Sequence, residues 1–310
     1  MKQFKIFLGG RDMNRTTKLK KLIQAPEILV MPGVYDALSA MIAEKCGVKA
    51  VQVTGYGLAG SNLGYPDVGI MTKTQMVELV RNICNRTTIP VMADGDTGFG
   101  NAINLYYAVK EFEAAGAAGI NIEDQFFPKR CGHMGGKQIV SFEEAVKKIE
   151  AAAAARTDPD FVINARTDAV AVAGVDEAIR RGNAFAKAGA DLIFIEAPEN
   201  IDDIKRVIQS IDAPVSINMI YAKGSKTPAV SIRQLEEWGA ARVSVPVMPL
   251  FAASRALERA YTAVMNDDVA SMSNDIFEFE EFTGLVGLPE IKELEKRFLD
   301  ITEFEARYSR

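Results

Sequence analysis

Short apolar runs alternate with longer amphipathic stretches along most of the chain. The runs are apolar at consecutive positions, a pattern typical of strands that are covered on both faces. Eight such strands are predicted, at residues 28–31, 50–54, 90–94, 118–122, 161–165, 191–195, 214–218 and 241–245. Helical periodicity is present at residues 37–47, 72–87, 101–116, 141–156, 174–189, 200–211, 231–240 and 249–267.

Eight strand–helix cycles in one chain favour a closed (β/α)₈ barrel of the TIM type over an open, doubly wound sheet. No GxGxxG motif follows the first predicted strand to support the open alternative. Local signals agree with the predicted helices: Thr72 is expected to cap one N-terminus, and Gly116 and Gly189 follow helix ends. The sequence therefore predicts one barrel domain over residues 21–268.

Two segments lie outside the predicted barrel. Residues 1–20 form an N-terminal extension, which we expect to be partly disordered. Residues 269–310 have helical periodicity and carry several Phe side chains. A barrel needs no further helices, so we expect this C-terminal helical segment to pack on a neighbouring subunit of a homo-oligomer. Packing on the outside of its own barrel is the alternative.

Composition narrows the class of protein. The net charge is −5, with acidic and basic residues interspersed, which gives no basic footprint for nucleic acid or a membrane surface. No apolar run reaches the roughly 18 residues of a membrane span, and the N-terminus does not resemble a signal peptide. We therefore expect a cytoplasmic protein. The three cysteines form no CxxC pair, which argues against a disulfide framework or a thiolate zinc site, and Cys46 and Cys84 are expected in the core.

Acidic residues follow several predicted strands, at the end of the barrel where enzymes of this fold build their active sites. Asp94 and Asp96 end the third strand, Glu123 ends the fourth, and Asp67 is assigned to the same rim. An oxygen-only cluster fits a hard cation, Mg²⁺ or alternatively Mn²⁺. Otherwise these acids would cap helices and accept hydrogen bonds from loop amides.

Two further features of this rim carry possible chemistry. Arg166 either pairs with the acidic residues or binds a substrate carboxylate through a two-pronged contact. The glycine-rich loop at residues 128–137 contains Cys131 and His133, the single histidine. Its neighbouring cations are expected to lower the pKa of the Cys131 thiol, and its glycines suggest a flap that closes over substrate. An exposed polar loop with an incidental cysteine is the alternative.

Over nearly its whole length the sequence resembles the isocitrate lyase/phosphoenolpyruvate mutase superfamily. The resemblance is carried by seven segments, PGVYDALSA, DGDTGFG, NIEDQ, KRCGH, NARTDA, FIEAPEN and SINM. It implies a (β/α)₈ barrel whose eighth helix swaps between partners, in dimers or tetramers. It also implies that Asp94 contacts Mg²⁺ directly, and that three further acids hold the waters of the ion, namely Asp96, Glu123 and Asp67.

The resemblance also assigns residues to a small di- or tricarboxylate substrate. One carboxylate would be bound by Thr54, Gly55, Tyr56 and Arg166. The other carboxylate would be bound by Gly132, His133 and Asn218. Catalytic roles would fall to Arg166, to Glu196 near the flap, and to Cys131, the general acid that protonates the carbanion left when the C2–C3 bond breaks. Some lyases of the family have a Tyr where this chain has Gln52, so the base remains open between Tyr56 and a metal-bound water.

The details place the chain in the short lyase branch, with the dimethylmalate, methylisocitrate and petal death protein types. KRCGH separates this branch from the phosphonate enzymes, and the chain has no room for the insertions of isocitrate lyases. Asn218 is followed by Met-Ile rather than by an early Thr, which resembles the dialkylmalate type. Pro246 lacks the hydroxyl expected of oxaloacetate hydrolases. We therefore expect a 2-alkylmalate lyase; 2-methylisocitrate lyase and a non-catalytic dicarboxylate-binding barrel are the alternatives.

Overall fold

Eight parallel strands close into a barrel in the computed structural model, which describes residues 14–308. Each strand pairs with the next along the chain, and the first pairs with the eighth, with Leu29 opposite Arg242. The strands are β1 (Leu29–Val34), β2 (Val51–Val53), β3 (Val91–Asp94), β4 (Gly119–Glu123), β5 (Val162–Thr167), β6 (Leu192–Ile195), β7 (Val215–Asn218) and β8 (Arg242–Val245). The predicted fold class is confirmed, and each predicted strand overlaps an observed one.

The predicted helices are also present, each within a few residues of its expected bounds. Those around the strands are α2 (Ala37–Lys45), α4 (Lys73–Asn85), α5 (Ala102–Ala114), α6 (Phe142–Ala155), α8 (Val175–Lys187), α9 (Ile201–Ser210), α10 (Ile232–Glu237) and α11 (Met248–Met265). Thr72 caps α4 as predicted, accepting a hydrogen bond from the Gln75 amide. Two short helices lie in the loops after strands, α3 (Gly55–Leu58) and α7 (Val170–Ala173), and residues 59–63 form a π-helical turn.

A helix not predicted from the sequence closes the amino-terminal end of the barrel. This helix, α1 (Arg15–Gln24), buries Leu19 and Ile23 against a small apolar cluster that includes Leu29 and Met31 of β1. Because its apolar residues are few, its periodicity was too weak to predict it. The expected disorder of the N-terminal extension does not apply to residues 15–20, which are helical, whereas residues 1–13 lie outside the described part.

The described residues pack into two compact units. The first ends at Ser254 and contains the barrel, and the second begins at Arg255. The second unit contains the rest of α11, a 3₁₀ helix at Val269–Met272 and three more α-helices, α12 (Phe279–Leu285), α13 (Leu288–Phe298) and α14 (Ile301–Tyr308). It leaves large apolar side chains exposed, including Phe279, Phe298 and Ile301. Among residues 14–308, no helix is both long and apolar enough to span a bilayer.

The two cysteines outside the predicted flap differ in environment. Cys84 is buried on α4, and burial raises the pKa of its thiol to about 12. Cys46 is exposed at the C-terminal end of α2. The expectation that Cys46 is a core residue was therefore wrong, because an apolar neighbourhood in sequence does not determine on which side of a helix end a residue lies.

Candidate active site

The carboxyl ends of the strands surround a cavity of about 60 Å³. It is lined by most of the residues predicted for the site, namely Thr54, Tyr56, Asp67, Asp94, Cys131, Gly132, His133, Arg166, Glu196 and Asn218. The other three lie one contact away: Gly55 bonds to Asp94, Asp96 lies against Lys129, and Glu123 lies against Arg166. Residues far apart in sequence meet here because parallel strands in a barrel all end on the same face.

Asp94 organises the backbone at the end of β3. Its Oδ2 accepts a hydrogen bond from the Gly55 amide at 2.8 Å, and its Oδ1 accepts one from the Asp96 amide at 3.2 Å. A Cβ at position 55 would lie 2.8 Å from Asp94 Oδ2, so only glycine lets the start of α3 approach this carboxylate. Asp96 itself has a positive φ of 45°, a conformation that aspartate tolerates better than most residues.

A buried lysine lies among the predicted metal ligands. Lys129 Nζ is 2.5 Å from Asp67 Oδ1 and 2.9 Å from Asp96 Oδ1, and its side chain is 4% exposed. Burial alone would lower the pKa of Lys129, but Asp96 and Asp67 outweigh burial and raise it well above its usual value. Burial raises the pKa of Asp96 to about 6 in spite of this ion pair. The sequence showed Lys129 only as a flap cation and did not indicate this pairing.

The acidic residues thus lie at one rim, but basic side chains lie between them: Lys129 contacts Asp67 and Asp96, and Arg166 contacts Glu123. Within residues 14–308, no three His, Cys, Asp or Glu side chains are arranged to hold a metal ion. The donor chemistry nevertheless fits Mg²⁺, which prefers carboxylate oxygens and often takes only one or two of them directly. Glu123 Oε1 supports this fit, since it is buried at the rim and accepts no hydrogen bond. Burial also raises the pKa of Glu123 well above its usual value, so a nearby cation would stabilise its charged form.

Arg166 is surrounded by three buried carboxylates. It forms a two-pronged contact with Asp168, Nε to Oδ2 at 2.8 Å and Nη2 to Oδ1 at 3.1 Å. Its Nε is also 3.3 Å from Glu123 Oε2, and its Nη1 is 3.7 Å from Glu196 Oε2. The guanidinium lies 5.2 Å from the centre of the Phe194 ring. Of the two alternatives for Arg166, the structure therefore shows pairing with acids, and its place in the cavity lining keeps it within reach of a ligand.

The loop at residues 128–137, called the Cys131 loop below, lines the cavity and is held in place by hydrogen bonds of its backbone. The Cys131 amide donates to the Asp67 carbonyl at 3.1 Å, and the Gln125 side chain bonds both the amide and the carbonyl of Arg130. Gly132 packs directly on Glu196, where a Cβ would come within 2.1 Å of Oε1. This contact accounts for a glycine between the thiol and the histidine.

His133 lies against the same carboxylate as Gly132. Its Nε2 is 3.3 Å from Glu196 Oε1, and its Nδ1 accepts a hydrogen bond from the Lys226 amide at 3.2 Å. The Asn218 amide nitrogen is 3.5 Å from Glu196 Oε2, and Ser244 donates to Asn218 Oδ1 at 2.9 Å. Glu196 therefore joins the loop to β7 and β8. Ser244 was not predicted, because nothing local marks a serine within a strand as part of a site.

Cys131 differs from its sequence-based prediction in the direction of its pKa shift. Burial raises the pKa of its thiol to about 11, whereas the neighbouring cations were expected to lower it. The cations next to it in sequence do not face the sulfur: Lys129 is held by Asp67 and Asp96, and Arg130 is exposed. A thiol with a raised pKa keeps its proton at neutral pH, so Cys131 is suited to donate a proton rather than to act as a nucleophile.

A buried arginine in the cavity lining bonds to Gln52, the residue that departs from the family pattern. Arg242 is fully buried, and its Nη2 donates to Gln52 Oε1 at 2.6 Å while its Nη1 donates to Ser216 at 3.1 Å. Burial lowers the pKa of Arg242 to about 9. Glutamine thus serves at position 52 as a hydrogen-bond acceptor for a charged neighbour. The sequence did not indicate this pair, whose members are 190 residues apart.

Known proteins resemble this chain over most of its length. Residues 19–265 match the family model described as phosphoenolpyruvate phosphomutase. The chain belongs to the phosphoenolpyruvate mutase/isocitrate lyase superfamily. It is 43% identical to 2,3-dimethylmalate lyase of Eubacterium barkeri, over 92% of this chain and 99% of that protein. It is 38% identical to 2-methylisocitrate lyase of Aeropyrum pernix, over 87% of this chain and 86% of that protein. Its relatives at this level establish it as a carbon–carbon lyase of the superfamily.

Solved structures of the superfamily share the fold along the whole barrel. Oxaloacetate acetylhydrolase with the inhibitor 3,3-difluorooxalacetate superposes with a TM-score of 0.86 at 30% identity, covering 91% of this chain and 96% of that one. Phosphonopyruvate hydrolase with oxalate and Mg²⁺ superposes with a TM-score of 0.84 at 30% identity, covering 93% of this chain and all of that one. The same scaffold therefore carries a hydrolase of oxaloacetate and a hydrolase of phosphonopyruvate, so the side chains around the cavity must decide which substrate is accepted.

Proposed function

We propose that this chain is a Mg²⁺-dependent lyase that cleaves the C2–C3 bond of a 2-alkylmalate such as 2,3-dimethylmalate. The products would be pyruvate, or another 2-oxo acid, and a simple carboxylate. The observation that carries the proposal is the position of the Cys131 thiol in the lining of a cavity whose rim combines carboxylates with the Arg166 guanidinium. The identity to 2,3-dimethylmalate lyase supports this substrate class.

Residues at the rim would hold the ion and the substrate as the superfamily resemblance assigns them. Asp94 would bind Mg²⁺, and its waters would be held by Asp96, Asp67 and Glu123. The magnesium in phosphonopyruvate hydrolase supports the choice of metal. When bound, the ion would supply positive charge to the developing alkoxide at C2. Lys129 would have to share Asp67 and Asp96 with the waters of the ion, because it contacts both carboxylates.

The two ends of the substrate would be bound by different parts of the cavity. Arg166, with the Thr54–Tyr56 segment at the start of α3, would bind the carboxylate next to the hydroxyl. Gly132, His133 and Asn218 would bind the other one. A cavity of about 60 Å³ is far below the roughly 300 Å³ at which ligand pockets begin. The Cys131 loop would therefore open to admit substrate and close before reaction.

The bond changes then follow. The 2-hydroxyl loses its proton, its electron pair forms the C2=O bond, and the C2–C3 pair moves onto C3 as an enolate-like carboxylate. Cys131 protonates C3 and regains a proton from solvent before the next turnover. Tyr56 is poorly suited to be the base, because burial and the nearby Cys131 and Asp67 raise the pKa of its phenol. The Tyr56 alternative for the base is therefore disfavoured.

The lining of the cavity supports an alkyl substituent on the substrate. Phe194, Ile220, Pro246 and Val247 contribute apolar surface to the wall. A methylisocitrate would bring a third carboxylate, which would have to take a cation of the lining that already has protein partners, such as Arg242 with Gln52 and Ser216. Pro246 cannot donate the hydrogen bond of the hydroxyl that the resemblance implies in oxaloacetate hydrolases, which argues against oxaloacetate hydrolysis.

A coupled assay tests the proposal. The protein is incubated with Mg²⁺ and either 2,3-dimethylmalate or 2-methylisocitrate, and pyruvate is followed with lactate dehydrogenase. We expect pyruvate from the first substrate and much less from the second, and chelation of the metal should abolish both signals. Pyruvate mainly from 2-methylisocitrate would assign the alternative activity, and no pyruvate from either would contradict the proposal.

We further propose a homo-oligomer built through the C-terminal helices, with α11 or its successors swapped between partners. The exposed apolar side chains of the second unit support this assembly: Phe279 is 84% exposed, Ile301 71% and Phe298 69%. An apolar patch of this kind is unusual on a monomer and typical of an interface. Size-exclusion chromatography with light scattering should give a dimer or tetramer, and a monomer at micromolar concentration would contradict the proposal.

A further inference from the structure

Lys137 is a buried cation that the proposed reaction does not use. It lies six residues after Cys131 in the same loop, and its side chain is 2% exposed. Its Nζ donates hydrogen bonds to the Gly132 carbonyl at 2.6 Å and to Asp168 Oδ1 at 2.7 Å. A buried ammonium group needs such partners, and these two belong to different parts of the molecule, the loop and the end of β5.

Asp168, which accepts the hydrogen bond from Lys137, is itself held in a fixed position. It is fully buried, and its backbone amide donates to Asp124 Oδ1 at 2.9 Å. Burial would raise the pKa of Asp168, but Arg166 and Lys137 outweigh burial and lower it to about 2. Asp168 is therefore charged at neutral pH. Its other oxygen receives the Nε donor of Arg166 at 2.8 Å.

We propose that Lys137 is a positioning residue, which holds the Cys131–His133 segment over the cavity by tying the Gly132 carbonyl to the Asp168–Arg166 pair. This inference rests on the proposed function. Gly132 lies between the thiol and the imidazole, so fixing its carbonyl sets the place of both neighbours. The Cys131 carbonyl, by contrast, accepts a hydrogen bond from the Met134 amide, which belongs to the same loop and so does not fix the loop to the barrel. Lys137 thus connects the loop that carries the proton donor to the guanidinium that would bind substrate.

Lys137→Met removes the charge and keeps the length of the side chain. We expect kcat/KM to fall about 100-fold, because a small displacement of a catalytic group has that effect. Lys137→Arg can still donate to both acceptors and should stay within about tenfold of the wild type. The matched control is Lys147→Met on α6, which removes an exposed lysine paired with Glu150 and should leave turnover unchanged. A merely structural lysine would show no such rescue by arginine.

A second measurement needs no substrate and so separates this inference from the proposed function. Iodoacetamide alkylation of Cys131 is followed by peptide mass spectrometry, with the exposed Cys46 of the same molecule as reference. In Lys137→Met the loop should open more often, and Cys131 should react about tenfold faster while Cys46 is unchanged. An unchanged rate of Cys131 alkylation in Lys137→Met would overturn the tether, that is, the proposed attachment of the loop to Asp168 through Lys137, whatever the turnover.

A second variant tests the role of Lys137 if Lys137→Met does not fold. Asp168→Asn keeps Lys137 but removes its charged partner, and it should accelerate alkylation of Cys131 in the same direction by a smaller factor. No acceleration in that variant would overturn the inference. Accelerated alkylation in a protein that yields no pyruvate from either substrate would support the tether and contradict the proposed function.

Discussion

Gly132 lies directly against the carboxylate of Glu196, where a Cβ would come within 2.1 Å of Oε1. Glu196 is fully buried and is also close to Arg166, His133 and Asn218, so it has little room to move. The closed position of the Cys131 loop therefore depends on the missing side chain at residue 132. Gly132 and Glu196, which are 64 positions apart in sequence, therefore restrict each other's position.

Gly132→Ala should hold the loop away from the cavity. We expect kcat/KM to fall about 100-fold, as for other small displacements of a catalytic group. The free energy of unfolding should drop by about 1–3 kcal/mol if the loop stays closed against the clash. Steady-state kinetics and urea unfolding measure the two effects. Gly135→Ala is the matched control in the same loop, since a Cβ there would meet no atom within 4 Å. Equal activities of the two variants would contradict this account.

Cys131→Ser should separate proton donation from binding. A hydroxyl is a far weaker acid than a thiol, so kcat should fall by orders of magnitude. Oxalate, the ligand in phosphonopyruvate hydrolase, serves as the binding probe, and any affinity of the wild type for it should be nearly unchanged in the variant. Turnover assays and calorimetric titration with oxalate measure these quantities. Cys46→Ser, which changes an exposed thiol, serves as control and should behave as the wild type. Near-normal turnover of Cys131→Ser would exclude the thiol as proton donor.

The raised pKa of Cys131 predicts a distinct pH dependence of its alkylation. Only the thiolate reacts, so the rate should climb about tenfold per pH unit and level off near the thiol pKa. For Cys131 that pKa is about 11. Rates measured from pH 7 to pH 11 by peptide mass spectrometry test this directly. A plateau of the Cys131 rate below pH 8 would show that nearby cations stabilise the thiolate after all.

Asp168 should contribute stability that is lost in acid. Its folded-state pKa of about 2 lies below the unfolded value of 3.8, so its contribution is fully present above about pH 4 and declines as the pH falls toward 2. The difference corresponds to about 2 kcal/mol. The gap in free energy of unfolding between the wild type and Asp168→Asn should therefore narrow as the pH falls from 4 to 2. A gap that stays constant over this range would contradict the charge-based origin of the effect.

Metal binding at the rim should raise thermal stability. A ligand present at about 100 times its Kd stabilises the native state by about 2.7 kcal/mol, so Mg²⁺ should raise Tm and a chelator should reverse the rise. Asp94→Asn should lose most of this shift, whereas Asp202→Asn, on the exposed first turn of α9, should keep it. Differential scanning fluorimetry across a Mg²⁺ titration gives the measurement. An Asp94→Asn variant that keeps the full shift would place the ion elsewhere.

Much of the scaffold could be predicted because its signals are local. Buried parallel strands are apolar at consecutive positions, and eight of them with intervening amphipathic helices allow few arrangements. The same topology predicted that Asp94, Glu123 and Arg166 would meet at one end of the barrel. Helix α1 escaped prediction, because Leu19 and Ile23 make only a weak pattern by themselves.

The order of strands and helices, the end of the barrel that holds the site and the types of side chain found there all follow from local sequence patterns. The pairing of the charges was set by the tertiary structure: Lys129 with Asp67 and Asp96, Lys137 with Asp168, and Arg242 with Gln52. The tertiary structure also gives the thiol of Cys131 a raised pKa, since burial outweighs the cations beside it in sequence. The physical reason is that periodicity depends on neighbours in the chain, whereas ion pairing and desolvation depend on the path that loops take through space.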